Sequence, residues 1–125
     1  MQPSKVLVVD DSDLMHRMFE VMLRGVTLLH ARDGQEALDR LRDHVDIDLV
    51  LLDINMPRMN GFELLDSLSE RGLLPRLPVI VITTEGHEDH AARGIAAGAA
   101  AYLTKPFRGE EVRAAIARLP GVAAS

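Results

Sequence analysis

The 125-residue sequence contains no cysteine, and aromatic residues make up only 3% of it. The fold therefore cannot depend on disulfides, and a single domain of this length buries about two thirds of its extended-chain surface without them. The absence of cysteine fits the reducing cytoplasm, where we expect the protein to be located. So few aromatic side chains disfavour the stacking platforms that bind single-stranded nucleic acid.

Long apolar runs and a surplus of positive charge are also missing. The apolar runs are far shorter than the roughly 20 residues of a membrane span, and the first five residues lack a signal-type segment. We therefore expect a soluble chain that is neither exported nor bound to membranes. The net charge of −5 disfavours a basic face for DNA or RNA. Lysine is scarce, since Lys5 and Lys105 are the only two among 14 lysines and arginines.

Four short apolar segments each lead into polar residues. They are residues 6–9 before Asp10 and Asp11, residues 49–52 before Asp53, residues 79–82 before Thr83, and residues 101–104 before Lys105. Apolar runs without alternation are typical of parallel strands that are buried on both faces. Because the carboxyl ends of parallel strands meet at one edge, where open α/β sheets bind ligands, we expect these polar side chains to gather there.

Segments with helical spacing separate the strands. We predict helices over residues 12–23, 35–43, from residue 60 onward, over 87–97 and over 108–119, with an edge strand over residues 26–30. Five alternations of strand and helix predict an α/β domain with right-handed crossovers and helices on both faces of a parallel sheet.

Particular residues refine the helices. In the first helix, the stripe of Leu14, Met18 and Met22 is predicted to face the core. Asn60 followed by Glu63 is a capping-box pattern that opens the third helix. Gly94 lies inside the fourth helix, and an interior glycine costs about 1 kcal/mol relative to alanine. We therefore expect the fourth helix to be loosely held.

The predicted edge combines acids, a hydroxyl and a cation. Asp10, Asp11 and Asp53 would repel one another, at about 4 kcal/mol per pair 4 Å apart in an effective dielectric of 20. Mg²⁺ would offset this, since it prefers oxygen ligands, whereas the lack of cysteine or a nearby histidine disfavours zinc. With Lys105 to hold a phosphoryl group and Thr83 to donate a hydrogen bond, the set suits phosphoryl transfer, with Asp53 as the nucleophile.

Five segments together resemble the response-regulator receiver family, typified by CheY. They are residues 8–12 (VVDDS), 31–38 (ARDGQEAL), 48–57 (DLVLLDINMP), 60–65 (NGFELL) and 98–107 (GAAAYLTKPF). The resemblance implies a five-stranded parallel sheet of order 2-1-3-4-5 flanked by five helices, which is the flavodoxin-like, CheY-like three-layer sandwich.

We accordingly expect one receiver domain over residues 1–125, with residues 121–125 as a flexible tail. The resemblance implies a phosphorylation switch rather than an enzyme. Asp53 would accept a phosphoryl group from a phosphohistidine on a sensor histidine kinase or phosphotransfer protein. Asp11, the Asp53 carboxylate and the backbone carbonyl of Asn55 would bind Mg²⁺, and Asp10 would act mainly through a bound water.

The resemblance also implies how the signal leaves the site. Thr83 and Tyr102 would form the switch pair, in which the hydroxyl moves to the phosphoryl group and the ring turns inward behind it. The surface of the fourth helix, last strand and fifth helix would then bind a protein target. Asn55 and Glu85 occupy the positions that tune phosphoryl lifetime, and this pair is found in chemotaxis-type receivers with rapid hydrolysis.

Alternatives remain open at this point. We expect a stand-alone receiver of the chemotaxis or phosphorelay type, and the receiver of a longer regulator is the alternative. The chain could also be a receiver-like binding module that is never phosphorylated. A phosphate-handling enzyme with an Asp-x-Asn loop at Asp53 and Asn55 is disfavoured, because it would need a second acid two residues on and a cap domain.

Overall fold

The computed structural model describes residues 4–54, 60–74, 76–84 and 88–119, and strands alternate with helices throughout this part of the chain. The strands are β1 (Lys5–Val9), β2 (Thr27–Ala31), β3 (Leu49–Asp53), β4 (Val79–Thr84) and β5 (Ala101–Lys105). The helices are α1 (Asp13–Met22), α2 (Gly34–Asp43), α3 (Gly61–Glu70), α4 (Glu88–Ala96) and α5 (Gly109–Ala117).

All neighbouring strands are parallel, and their order is β2-β1-β3-β4-β5. The predicted α/β fold and strand order are therefore confirmed, including the position of β2 at an edge. None of the helices described is long and apolar enough to cross a membrane.

The strands separate two apolar cores because successive side chains point to opposite faces of the sheet. Val6 and Val8 of β1 belong to the core that α1 and α5 cover, whereas Leu7 and Val9 belong to the core beneath α2 and α3. Each core therefore receives side chains from the same strands. This two-sided burial is the reason why the strands appear in the sequence as continuous apolar runs.

The buried face of α1 differs from the predicted one. Leu14 is 59% exposed, whereas Met18 and Met22 are partly buried and pack against the core that Met15 and Phe19 enter. Two sets of apolar residues in this helix have helical spacing, so the pattern alone does not select between them. Packing selects the set with Phe19, whose ring stacks on that of Phe107 with a centroid separation of 5.7 Å.

Gly94 allows α4 to approach the sheet closely. A β-carbon at this position would lie 3.1 Å from Cγ2 of Val81 in β4. Beside it, the guanidinium of Arg93 lies 4.0 Å from the centroid of the Phe62 ring in α3. Gly94 thus has a packing role, which its low helix propensity alone does not reveal. That α4 is loosely held stays a prediction.

The start of α3 is fixed against the end of β3. The predicted capping box is present, because the Glu63 N–H donates to Oδ1 of Asn60 (3.0 Å) and the Asn60 N–H donates to Oε1 of Glu63 (3.4 Å). Gly61 follows with no room for a side chain. A β-carbon there would lie 2.8 Å from Cα of Ile54 and 3.1 Å from the carbonyl oxygen of Asp53.

We therefore expect Gly61→Ala to push α3 away from β3 and to lower the free energy of unfolding by about 1–3 kcal/mol, as overpacking does. Urea denaturation measures this change. Gly109→Ala is the matched control, because Gly109 also opens a helix but its added β-carbon would first meet the flexible guanidinium of Arg113, at 3.1 Å. Equal losses in the two variants would contradict the expectation.

Candidate functional site

The carboxyl ends of the central strands bring the predicted residues to one edge of the sheet. In the pairing of β3 with β4, Asp53 lies opposite Ile82, and in that of β4 with β5, Thr84 lies opposite Lys105. Asp10 directly follows β1, which pairs with β3 on its other side. The chain therefore places these residues where the strand order reverses, which is the usual ligand-binding position of such sheets.

Three carboxylates lie together at this edge. Asp10, Asp11 and Asp53 each offer an oxygen, and these atoms all lie within 4.8 Å of one another. Asp10 is 1% exposed and Asp53 is 5% exposed, whereas Asp11 is open to solvent. Two of the three charges are thus shielded from water, which strengthens their interactions with each other and with any cation.

Lys105 supplies positive charge to this cluster. Its Nζ lies 3.8 Å from Oδ2 of Asp10 and 3.9 Å from Oδ2 of Asp53. Both distances exceed those of hydrogen bonds, so the ammonium acts on both carboxylates as a point charge. The proximity of Asp53 to the other two acids and to Lys105, which the strand ends predicted, is present in the structure.

Asp10 is held by contacts along its backbone and side chain. Its N–H donates to the carbonyl oxygen of Ala31 (3.0 Å), and Oδ1 accepts from the N–H of Ser12 (2.8 Å). The buried Oδ2 has no hydrogen-bond partner in the part of the chain described. Burial raises the pKa of the Asp10 carboxyl, although the Ser12 N–H and Lys105 both oppose this effect.

The donor set fits a hard divalent cation such as Mg²⁺. Every candidate ligand is a carboxylate oxygen, and Oδ2 of Asp10 is buried without a hydrogen-bond donor. One premise of the sequence analysis is wrong, because a histidine does lie close by: Nε2 of His16 is 2.7 Å from the backbone oxygen of Asp10. This nitrogen faces the peptide carbonyl rather than the carboxylates, so the metal-binding set stays all-oxygen.

The other predicted site residues are placed as follows. Thr83 is buried next to the end of β4, and Tyr102 on β5 is 51% exposed. The two therefore lie on adjacent strands, and their joint movement stays a prediction. Asn55 and Glu85 lie outside the described residues.

Three further side chains connect to this edge and were missed by the sequence analysis. Nδ1 of His16 lies 2.6 Å from Nδ1 of His30, and Nε2 of His30 lies 3.0 Å from Oε1 of Glu20. Burial lowers the pKa of His30, as does His16, whereas Glu20 opposes them. His16 lies between apolar residues of α1, and this position in the sequence indicates a buried histidine. His30 comes next to it only because β1 pairs with β2.

Because the pKa of Asp10 is raised, the negative charge of this carboxylate is expected to lower the free energy of unfolding. The folded chain keeps a proton on Asp10 at pH values where the unfolded chain has lost it, so the free energy of unfolding falls as the pH rises through that range. We expect Asp10→Asn to raise the free energy of unfolding at neutral pH by about 1 kcal/mol. Urea denaturation with a chelator present measures it.

Asp66→Asn on the exposed face of α3 is the control, since it changes the same net charge away from the cluster. A chain with Asp10→Asn that is less stable than the wild type at neutral pH would contradict the expected sign.

Comparisons with known proteins agree with this arrangement. Residues 6–117 match the family described as Response regulator receiver domain. The chain is 37% identical over 106 residues to a chemotaxis protein CheY homolog of Campylobacter jejuni, covering 82% of each chain. It is 38% identical over 115 residues to the transcriptional regulatory protein CpxR of Escherichia coli, covering 90% of this chain and 47% of CpxR.

A solved structure gives the same result. Chemotaxis protein CheY4 of Vibrio cholerae superposes with a TM-score of 0.84 at 33% identity, covering 94% of this chain and 98% of the other. Receiver domains are signalling components of two-component systems rather than classical enzymes, and they typically bind Mg²⁺ in an acidic pocket. The matched residues include the carboxylate cluster and Lys105, and we conclude that the chain belongs to the response regulator receiver domain family.

Proposed function

We propose that Asp53 accepts a phosphoryl group from a phosphohistidine on a sensor histidine kinase or phosphotransfer protein, and that this acylphosphate switches a protein-binding surface. The observation that carries the proposal is the position of the Asp53 carboxylate, which lies in the cluster with Asp10 and Asp11 and 3.9 Å from Nζ of Lys105. A carboxylate among other acids and a single ammonium suits a reaction governed by charge neutralisation.

In this reaction an oxygen of Asp53 forms a bond to phosphorus, and the bond from phosphorus to the donor's imidazole nitrogen breaks. The electron pair of that bond stays on the donor nitrogen, and the donor ring leaves as neutral imidazole because its other ring nitrogen carries a proton. Lys105 attracts the phosphoryl oxygens as a point charge, and the hydroxyl of Thr83 donates a hydrogen bond to one of them.

The carboxylates of Asp11 and Asp53 and the backbone carbonyl of Asn55 would hold Mg²⁺, with Asp10 acting through a bound water. When bound, the ion neutralises charge on the transferred phosphoryl oxygens. The all-oxygen donor set and Oδ2 of Asp10, which accepts no hydrogen bond among the residues described, support this assignment.

Incubation with acetyl phosphate, with Mg²⁺ or with a chelator, followed by intact-mass measurement, tests the proposal. We expect the mass of one phosphoryl group to be added only when Mg²⁺ is present. Absence of any added mass would instead indicate a receiver-like binding module. Continuous release of phosphate from a small phosphoester would indicate a phosphate-handling enzyme.

The output of the switch is proposed to be a contact between proteins. Tyr102 of β5 is 51% exposed and Ile95 of α4 is 43% exposed, and both line a groove between α4 and α5. These two exposed side chains support the surface of α4, β5 and α5 as the binding site for a downstream protein. Proteins captured by phosphorylated wild type, but neither by Asp53→Ala nor by phosphorylated Tyr102→Ala, would identify the target through this surface.

The lifetime of the phosphoryl group stays a prediction that rests on Asn55 and Glu85. The similarity to CheY proteins supports a stand-alone receiver, whereas the similarity to CpxR also fits the receiver of a longer regulator. We expect the added phosphoryl mass to decay quickly once the donor is removed and Mg²⁺ is present. Retention of that mass over hours would contradict the prediction.

A further inference from the structure

His16 makes a buried contact with the backbone that links two of the acids. The residue is 8% exposed, and its Nε2 lies 2.7 Å from the carbonyl oxygen of Asp10. A carbonyl oxygen only accepts, so Nε2 carries a proton and donates it to this bond. The carbonyl of Asp10 and the N–H and Cα of Asp11 lie in one planar peptide group. A hydrogen bond that fixes this carbonyl therefore also fixes the orientation of the Asp11 backbone.

His16 is itself held by two other side chains. Its Nδ1 lies 2.6 Å from Nδ1 of His30, and the two rings meet edge to face with centroids 4.6 Å apart. Nε2 of His30 lies 3.0 Å from Oε1 of Glu20. With its proton on Nε2, a neutral His16 accepts at Nδ1 from the Nδ1–H of His30, and Glu20 lies against the other nitrogen of the His30 ring. The ring of His16 cannot rotate without breaking both of its contacts.

The remaining contacts of Asp10 point to the same conclusion. Its N–H donates to the carbonyl oxygen of Ala31, and its Oδ1 accepts from the N–H of Ser12. Its carbonyl oxygen accepts from Nε2 of His16. Among the polar atoms of Asp10, only the buried Oδ2 has no hydrogen bond within the described residues, and it lies 3.8 Å from Nζ of Lys105. The bonds to the other polar atoms of Asp10 leave this oxygen available to a cation.

We propose that His16, supported by His30 and Glu20, is a positioning residue that sets the affinity of the Asp10 and Asp11 pair for Mg²⁺. The inference rests on the proposed function, because it concerns the same metal site. Loss of an outer-shell partner of metal ligands typically lowers metal affinity about 10–100-fold. A substitution that removes the Nε2 donor should therefore weaken Mg²⁺ binding without removing any ligand.

The test is the Mg²⁺ dissociation constant of the unphosphorylated chain, measured by calorimetry. We expect His16→Leu, which removes the donor, to weaken binding by at least about tenfold. His16→Gln keeps an N–H near the position of Nε2 and is expected to restore most of the affinity. His44→Leu is the matched control, because His44 ends α2 at the opposite edge of the sheet and should leave the affinity unchanged.

A second measurement does not depend on whether the leucine variant folds. In the wild-type chain, nitrogen NMR of the His16 ring must show a proton on Nε2, and an unprotonated Nε2 would overturn the proposal. Wild type and His16→Leu binding Mg²⁺ equally well would also overturn it while leaving the proposed function intact. A wild type that binds no Mg²⁺ would contradict both.

Discussion

Replacing Asp53 with asparagine is expected to abolish phosphoryl incorporation from acetyl phosphate while leaving the chain folded. The amide has nearly the same shape as the carboxylate but lacks the anionic oxygen that attacks phosphorus. Because one of three mutually repelling acids loses its charge, the free energy of unfolding without Mg²⁺ should rise rather than fall. Intact-mass measurement and urea denaturation give the two results.

Asp66→Asn in α3 provides the control for Asp53→Asn, since it removes an exposed acid of the same type. That variant should take up one phosphoryl group at the wild-type rate. Phosphoryl incorporation into Asp53→Asn at the wild-type rate would mean that another residue is the acceptor, and the proposed role of the cluster would be wrong.

The second large effect is expected at Lys105. Its ammonium is placed between the carboxylates of Asp10 and Asp53, with Nζ 3.8 and 3.9 Å from their Oδ2 atoms. Lys105→Ala removes the positive charge that faces the two buried carboxylates. The oxygens of the incoming phosphoryl group lose the same positive charge. We expect the rate of phosphorylation at saturating Mg²⁺ to fall about 10²–10³-fold, as when one electrostatic contact to a transition state is removed.

The only other lysine of the chain offers the matched control for Lys105→Ala. Nζ of Lys5 lies 2.7 Å from Oδ2 of the exposed Asp46, at the amino end of β1 and far from the acids. Lys5→Ala should leave the phosphorylation rate unchanged, because the loss of this ion pair at the surface is local and screened by water. A similar loss of rate in both lysine variants would show that general charge, rather than position, is responsible.

The fold and the carboxylate cluster could be predicted from the sequence because both depend on local patterns. Apolar runs that end in Asp10, Asp53 and Lys105 specify parallel strands, and parallel strands bring their carboxyl ends together whatever the loops do. The capping box of Asn60 and Glu63 is equally local, since both partners lie within one turn.

Other features depend on contacts between distant segments and could not be read in this way. The spacing predicts Leu14 in the core, but packing of Phe19 on Phe107 turns the neighbouring side of α1 inward and leaves Leu14 exposed. Likewise, His16 meets His30 only because β2 pairs beside β1. Helical spacing restricts the possible faces of a helix, and tertiary packing selects one of them.

The most direct measurement is the location of the phosphoryl group in the chain. Wild-type protein is phosphorylated with acetyl phosphate and Mg²⁺, the acylphosphate is reduced with borohydride, and the modified peptide is identified by tandem mass spectrometry. If the carboxylate cluster works as proposed, the modified residue is Asp53 alone. Modification of Asp10, Asp11 or any residue outside the cluster, with Asp53 unchanged, would contradict this function.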